Sequence, residues 1–257
     1  MERSREVPEA IKRQVQQTEM ICRSFLFGLG FVVKDTARDP SYLDNHLLSY
    51  TSQDYLQSIV ALPLLVQEGI HNVCRRELRF VLEMSIKLCS VQQQQYAAAI
   101  ATKVSTLKAT LDSTNISMQK QLNLHLLATS EIPAFHQEVG RLYGEVSGYV
   151  HLTQGQILER MALVDQGHTS GNESAADIEV LNKVIARGLA CSLVFVLHSV
   201  PDYVAGDLLV QRNGDSLSWF FAGSKFISLV DEHFDYKHER QARIKEIKRK
   251  RWASVWF

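Results

Sequence analysis

Residues 140–151 read GRLYGEVSGYVH, and on a helix this segment places Tyr143, Ser147 and His151 on one face, because residues four apart follow one another along it. A phenol, a hydroxyl and an imidazole in one row could share a proton or hold a phosphate or a ribose hydroxyl. The same groups could instead bond to neighbouring helices or cap the helix end, as buried polar groups commonly do. Gly140, Gly144 and Gly148 are also four apart. Each glycine costs a helix about 1 kcal/mol relative to alanine, so three in register predict the close approach of a second backbone along a glycine seam.

A second constellation, CRRELRFVLEMSIKL at residues 74–88, carries Arg75, Arg76 and Arg79 with Glu77 and Glu83 among apolar residues spaced for a largely buried helix. Charges on such a helix must be paired. Arg79 and Glu83, one turn apart, are either a structural ion pair inside a bundle or the charged wall of an anion pocket. In the second reading Arg75, Arg76, Glu83 and Arg141 are the candidates for holding a substrate.

The third constellation is the C-terminus. The chain balances 28 basic against 28 acidic residues, yet residues 240–251 hold seven cations (Arg240, Arg243, Lys245, Lys248, Arg249, Lys250 and Arg251) and the single Glu246, leaving 21 basic and 27 acidic residues elsewhere. With Trp252, Trp256 and Phe257 beside them, Arg243, Lys248, Arg249 and Arg251 could meet phosphates while Trp252 stacks on a base. The same segment could dock by its aromatic end on the acidic body or on a second chain, and three aromatics in the last six residues favour docking. His233 and His238, near Asp231, Glu232 and Asp235, come nearest to a metal cluster, but their spacing suits no single helix face, so no metal is expected. The sequence holds no phosphate-cradling glycine loop, nucleophile elbow or dinucleotide fingerprint, and no cofactor is expected.

The elements that must position these groups are helical. With 257 residues, 46% apolar and 22% charged, the chain has the composition of a globular protein with a sizeable core. Apolar spacing predicts an all-α bundle of eight or nine helices: 8–27, followed by a break at Gly28-Leu29-Gly30; 40–50; 52–66, kinked or ended by Pro63; a strong helix from just after Gly69 to 91; an alanine-rich one to 111; 116–129; 133–151; 154–164; and an almost wholly apolar central helix over 177–200, stopped by Pro201. The clearest loop is DQGHTSGNES, 165–174. Around Asn213-Gly214, residues 207–221 suit a small hairpin or a helix-loop-helix equally, and a last helix spans 224–252. The expected organisation is a bundle over 1–223 and a basic, aromatic-ended C-terminal helix over 224–257. Four scattered cysteines read as buried thiols. The most apolar run, 189–200, is short of the roughly 20 residues that cross a bilayer, so a soluble cytoplasmic protein without membrane contact is expected.

The R-x-x-x-E helix at Arg79–Glu83, followed by L-Y-x-x-x-S-x-Y-V-H from Leu142 to His151, resembles a group of bacterial helical proteins similar in turn to the HEPN superfamily (higher eukaryote and prokaryote nucleotide-binding). The resemblance covers about residues 52–200, with residues 142–151 as its specific part. It implies a helical bundle, often dimeric, that binds RNA or nucleotide, and many such proteins are metal-independent RNases in toxin–antitoxin or antiphage systems. Their sites use Arg-x(4–6)-His. The family histidine falls on His151, but Gly144, Glu145 and Val146 stand where its arginine would be, and Arg141 is too far upstream. Under this resemblance Arg79 would supply the cation from the neighbouring helix, His151 would be acid or base, and Ser147 and Tyr143 would orient the substrate. The alternative is a non-enzymatic module that homodimerises or docks a partner protein.

Overall fold

In the computed structural model, which describes residues 8–111, 116–150, 154–165 and 174–257, the described chain is an all-α helical bundle. Its helices are α1 (Glu9–Thr36), α2 (Tyr42–Asn45), α3 (Leu48–Gln67), α4 (His71–Gln94), α5 (Ile100–Leu111), α6 (Ile132–Ser147), α7 (Gln154–Asp165), α8 (Ala175–Leu197), α9 (Asp202–Leu209), α10 (Lys225–His233), α11 (His238–Gln241) and α12 (Ile244–Ser254). The organising element is α8. Ser174 starts it with a capping box, its Oγ accepting from the Asp177 amide while its own amide donates to the Asp177 carboxylate. Every side chain from Leu189 to Leu197 is buried, and α1, α4, α6 and α10 surround the helix. By length and composition α8 could cross a membrane, but 83% of its most apolar window is covered by the rest of the fold. A glycine does permit close packing here, at Gly188, where a Cβ would lie 2.9 Å from the Leu78 side chain of α4.

Several expected boundaries differ. No break occurs at 28–30, and α1 runs straight through, because Gly28 accommodates the ring of Trp219; a Cβ there would meet it at 2.7 Å. The expected 40–50 helix is the short α2 followed by the first turn of α3, and α3 continues past Pro63. The 116–129 helix is only a 3₁₀ segment, Ile116–Gln121. Beyond it side chains take the place of helical partners: Gln93 brackets the Asn123 backbone, accepting from its amide at 3.0 Å and donating to its carbonyl at 2.9 Å, and the Leu126 amide donates to His198. Around Asn213-Gly214 a single antiparallel bridge, Val210 to Ser216, closes a minimal hairpin whose turn needs the positive φ of Gly214. Most of the expected 165–174 loop lies outside the described residues.

Two buried charged groups lock the periphery. The ammonium of Lys103 on α5 donates to the carbonyl and side-chain oxygens of Asn45, to the Tyr96 carbonyl at 2.8 Å and to Gln92 at 3.3 Å, joining α2, α4 and α5. The expected 224–252 helix is instead α10, a 3₁₀ turn (Phe234–Tyr236), α11 and α12, folded back so that Arg240 and Arg251 both reach Asp231 and Asp235. The aromatic terminus docks on its own chain: the Trp256 and Phe257 amides donate to the Gly223 carbonyl, the Lys225 amide donates to the Phe257 carbonyl at 2.7 Å, and the Phe257 ring lies 5.5 Å from that of Phe220. All four cysteines are buried free thiols.

Candidate active site between α4 and α6

Helix α6 opens with Pro133 in its first turn and buries Phe135, Val139, Leu142 and Val146, a stripe spaced four, three and four residues apart. Seating that stripe against α4 and α8 turns Tyr143 and Ser147 along its edge toward α4. There Arg79, with 16% of its side chain exposed, donates from Nη2 to the Tyr143 hydroxyl at 2.8 Å, and its guanidinium lies 5.1 Å from the centre of the phenol ring. Glu83 sits 3.6 Å from Arg79 and accepts from the buried Lys87 ammonium at 2.7 Å. One carboxylate therefore serves two cations, and the row from Tyr143 to Lys87 keeps a net positive charge. Arg79 Nε and Ser147 Oγ are buried with no hydrogen-bond partner among the described residues. A buried donor and a buried hydroxyl left in this state carry a desolvation cost that a polar partner would relieve.

The other two arginines of α4 hold the end of α6. Arg76 Nε donates to the Tyr149 carbonyl at 2.7 Å, and the Arg75 guanidinium covers the Tyr149 ring at 4.4 Å. Cations suit the carbonyl end of a helix, so these residues position the chain just before His151. His151 itself lies outside the described residues. Arg141 does not join the row. It stands about 160° round α6 from Tyr143, where Glu138 pairs it at 2.6 Å and also takes Arg187 of α8 at 2.6 Å.

The glycine stripe is not a packing seam. Nothing lies within 4 Å of a Cβ built on Gly140 or Gly144, and one on Gly148 would meet only the Glu145 carbonyl of its own turn. These glycines face away from the apolar stripe, and it is the packing of that stripe that brings Tyr143, at its edge, to Arg79. Gly140→Ala and Gly144→Ala are therefore each expected to raise stability by about 1 kcal/mol, read as a later urea midpoint. Loss of stability in either would show that the glycines are needed for packing.

The C-terminal cations separate into distinct roles. Arg251 is removed from any nucleic-acid surface: 2% of its side chain is exposed, and it lies 2.5 Å from both Asp231 and Asp235. Arg243 pairs with Asp215 at 3.1 Å and Glu246 at 3.3 Å, and Lys250 pairs with Glu246 at 2.6 Å. Arg249 and Trp252 remain exposed, and Lys248 is half-exposed. Among the described residues no three histidine, cysteine or carboxylate side chains group as metal ligands. No family model matches the chain, and no curated protein or solved structure shows significant similarity to it.

Proposed function

We propose that the α4–α6 face is a HEPN-like site that binds RNA or a nucleotide through its phosphate and cleaves RNA without a metal ion. The observation that carries this reading is the Arg79 to Tyr143 contact of 2.8 Å, beside an unpartnered Arg79 Nε and Ser147 Oγ. Arg79 stabilises charge that develops on the phosphodiester, since a guanidinium fixed in a partly desolvated row is worth more there than in water. Ser147 and Tyr143 orient the ribose. His151, four residues beyond Ser147 in the sequence, withdraws the proton of the 2′-hydroxyl as it attacks phosphorus, and the departing 5′-oxygen takes a proton from solvent water, giving a cyclic phosphate and a new 5′-hydroxyl.

The test is incubation of total RNA with the purified protein and with His151→Ala and Arg79→Ala variants. The expected result is cleavage by the parent, falling about 100- to 10,000-fold in His151→Ala and about 100-fold or more in Arg79→Ala. Equal activity in parent and variants, or none in any of them, removes the enzymatic reading.

A second reading, a non-enzymatic module that pairs with itself or with a partner protein, draws on different residues. Leu56, Val60 and Leu64 form an exposed row on α3, and Ile157, Leu158, Met161 and Val164 are exposed on α7. Under that reading His151→Ala changes nothing except stability, whereas charged substitutions at Val60 or Met161 alter the sedimentation coefficient.

A further inference from the structure

When the ion pairs of the C-terminal region are assigned, three cations and one indole are left together on the solvent side of α12. Lys245, Lys248, Arg249 and Trp252 fall within about 100° of one another around the helix, on the side away from Ile247, the buried contact of α12. Among the described residues Lys245 and Arg249 have no carboxylate partner, and Lys248 makes only long contacts, 3.6 Å to Asp235 and 4.0 Å to Glu232, with 48% of its side chain exposed. Trp252 is 40% exposed. Among the described residues it makes no ring contact of the kind that fixes Trp219 to Phe27 and Phe221 or Trp256 to Phe220 and Phe257. Its indole is held in no aromatic cluster, and it stands within one turn of Lys248 and Arg249.

We propose that this face of α12 binds single-stranded nucleic acid, with Lys245, Lys248 and Arg249 meeting phosphates and Trp252 stacking on an unpaired base. Charge complementarity selects a polyanion, because Asp215, Asp231 and Glu246 are taken up by Arg240, Arg243, Lys250 and Arg251 and leave Lys245 and Arg249 without a paired counter-charge among the described residues. The single flat apolar group among the cations selects a polyanion that carries stackable rings, and a base inside a duplex offers no such ring to an indole. An anionic membrane fits less well. A helix that lies in a lipid surface needs a broad apolar face, and the apolar side of α12 is turned inward on Ile247 and spent on the protein. The proposal stands apart from the α4–α6 reading, since it requires neither His151 nor cleavage.

The experiment is fluorescence anisotropy of a labelled oligouridine of about a dozen nucleotides titrated with the full chain. Both parent and variants are measured in an Arg79→Ala background, so that any RNA held at the α4–α6 face is weakened in all of them. Neutralising two to three phosphates on a single strand predicts that affinity falls about tenfold between 50 and 200 mM salt. Trp252→Ala is expected to weaken binding about fivefold or more, and Trp252→Phe to retain most of it. Lys245→Gln combined with Arg249→Gln should flatten the salt dependence. These side chains are exposed, and an unchanged circular dichroism spectrum verifies that the variants fold. Equal affinity in Trp252→Ala overturns the proposal. So does equal binding of a duplex of the same length, or binding to phosphatidylserine vesicles or polyglutamate without binding to the oligonucleotide.

Discussion

Asp231→Ala is expected to lower the stability of the fold by about 3–5 kcal/mol, because it strands two buried guanidinium groups at once. Asp231 has 5% of its side chain exposed and bonds to Arg240 at 2.6 Å, to Arg251 at 2.5 Å and to the Ser216 hydroxyl at 2.6 Å. Arg240 is fully buried, and its remaining bonds go to the carbonyls of Asp231 and Gly214 and to Asp235. After the substitution Asp235 alone would face both arginines. Burial pushes the Asp235 carboxyl up, yet Arg251, Arg240 and Lys248 together outweigh burial and hold it below the ordinary aspartate range. That carboxylate is already fully committed to its cations. Arg243→Ala, at a pair with 39% of the guanidinium side chain exposed, is expected to cost far less, because solvent screens an exposed pair. Urea denaturation followed by circular dichroism measures both variants. A loss at Asp231 no larger than at Arg243 would mean that the cluster does not hold the C-terminal region to the bundle.

The same cluster explains why the C-terminus was the least legible part of the sequence. Seven cations in twelve residues read as an exposed charged helix, whereas their neutralisers other than Glu246, among them Asp215, Asp231 and Asp235, lie outside that window and reach it only when the chain folds back. Lys103 gave no signal either, since its cage is made of carbonyl and amide oxygens from residues 45, 92 and 96, with no acidic residue to mark it. The long helices were readable because each repeats one apolar stripe over several turns; that of α8 simply widens to its whole circumference. The error at Gly28 has a tertiary cause, a ring arriving from residue 219, which local propensity does not encode. At the α4–α6 face the row of Tyr143 and Ser147, and the pairing of Arg79 with Glu83, followed from four-residue spacing alone. The contact between Arg79 and Tyr143 did not, because it depends on how two apolar stripes set the helices against each other. The glycines that suggested close packing lie opposite the buried stripe of α6, beside Tyr143 and Ser147 but touching no other helix.

Acidification from neutral pH to about pH 4 is expected to destabilise the protein through two histidines that are locked in the neutral form. Burial lowers the pKa of both His46 and His198 from 6.5 to about 4. Their hydrogen bonds fix the tautomers. His46 Nε2 donates to the Ser199 carbonyl while Nδ1 accepts from the Leu48 amide; His198 Nδ1 donates to the Val194 carbonyl while Nε2 accepts from the Leu126 amide. A second proton on either ring would set one N–H against another. The unfolded chain takes up these protons first, as pH falls through 6.5, so stability declines from there and the decline ends once the folded state is protonated near pH 4. A depression of about 2.5 pH units corresponds to roughly 3 kcal/mol for each histidine, a large share of the 5–15 kcal/mol that typically holds a domain together. His136 and His233, also lowered by burial, act in the same direction. Asp39 and Asp235, whose carboxyls are held below their ordinary values, lose their contributions only at still lower pH, so the window from 6.5 to 4.5 belongs to the imidazoles. Urea midpoints should fall steeply across that window in the parent and less steeply in His198→Gln, whose amide cannot be protonated. Parallel pH profiles for the two proteins would show that His198 is charged in the folded state, which its two backbone bonds forbid.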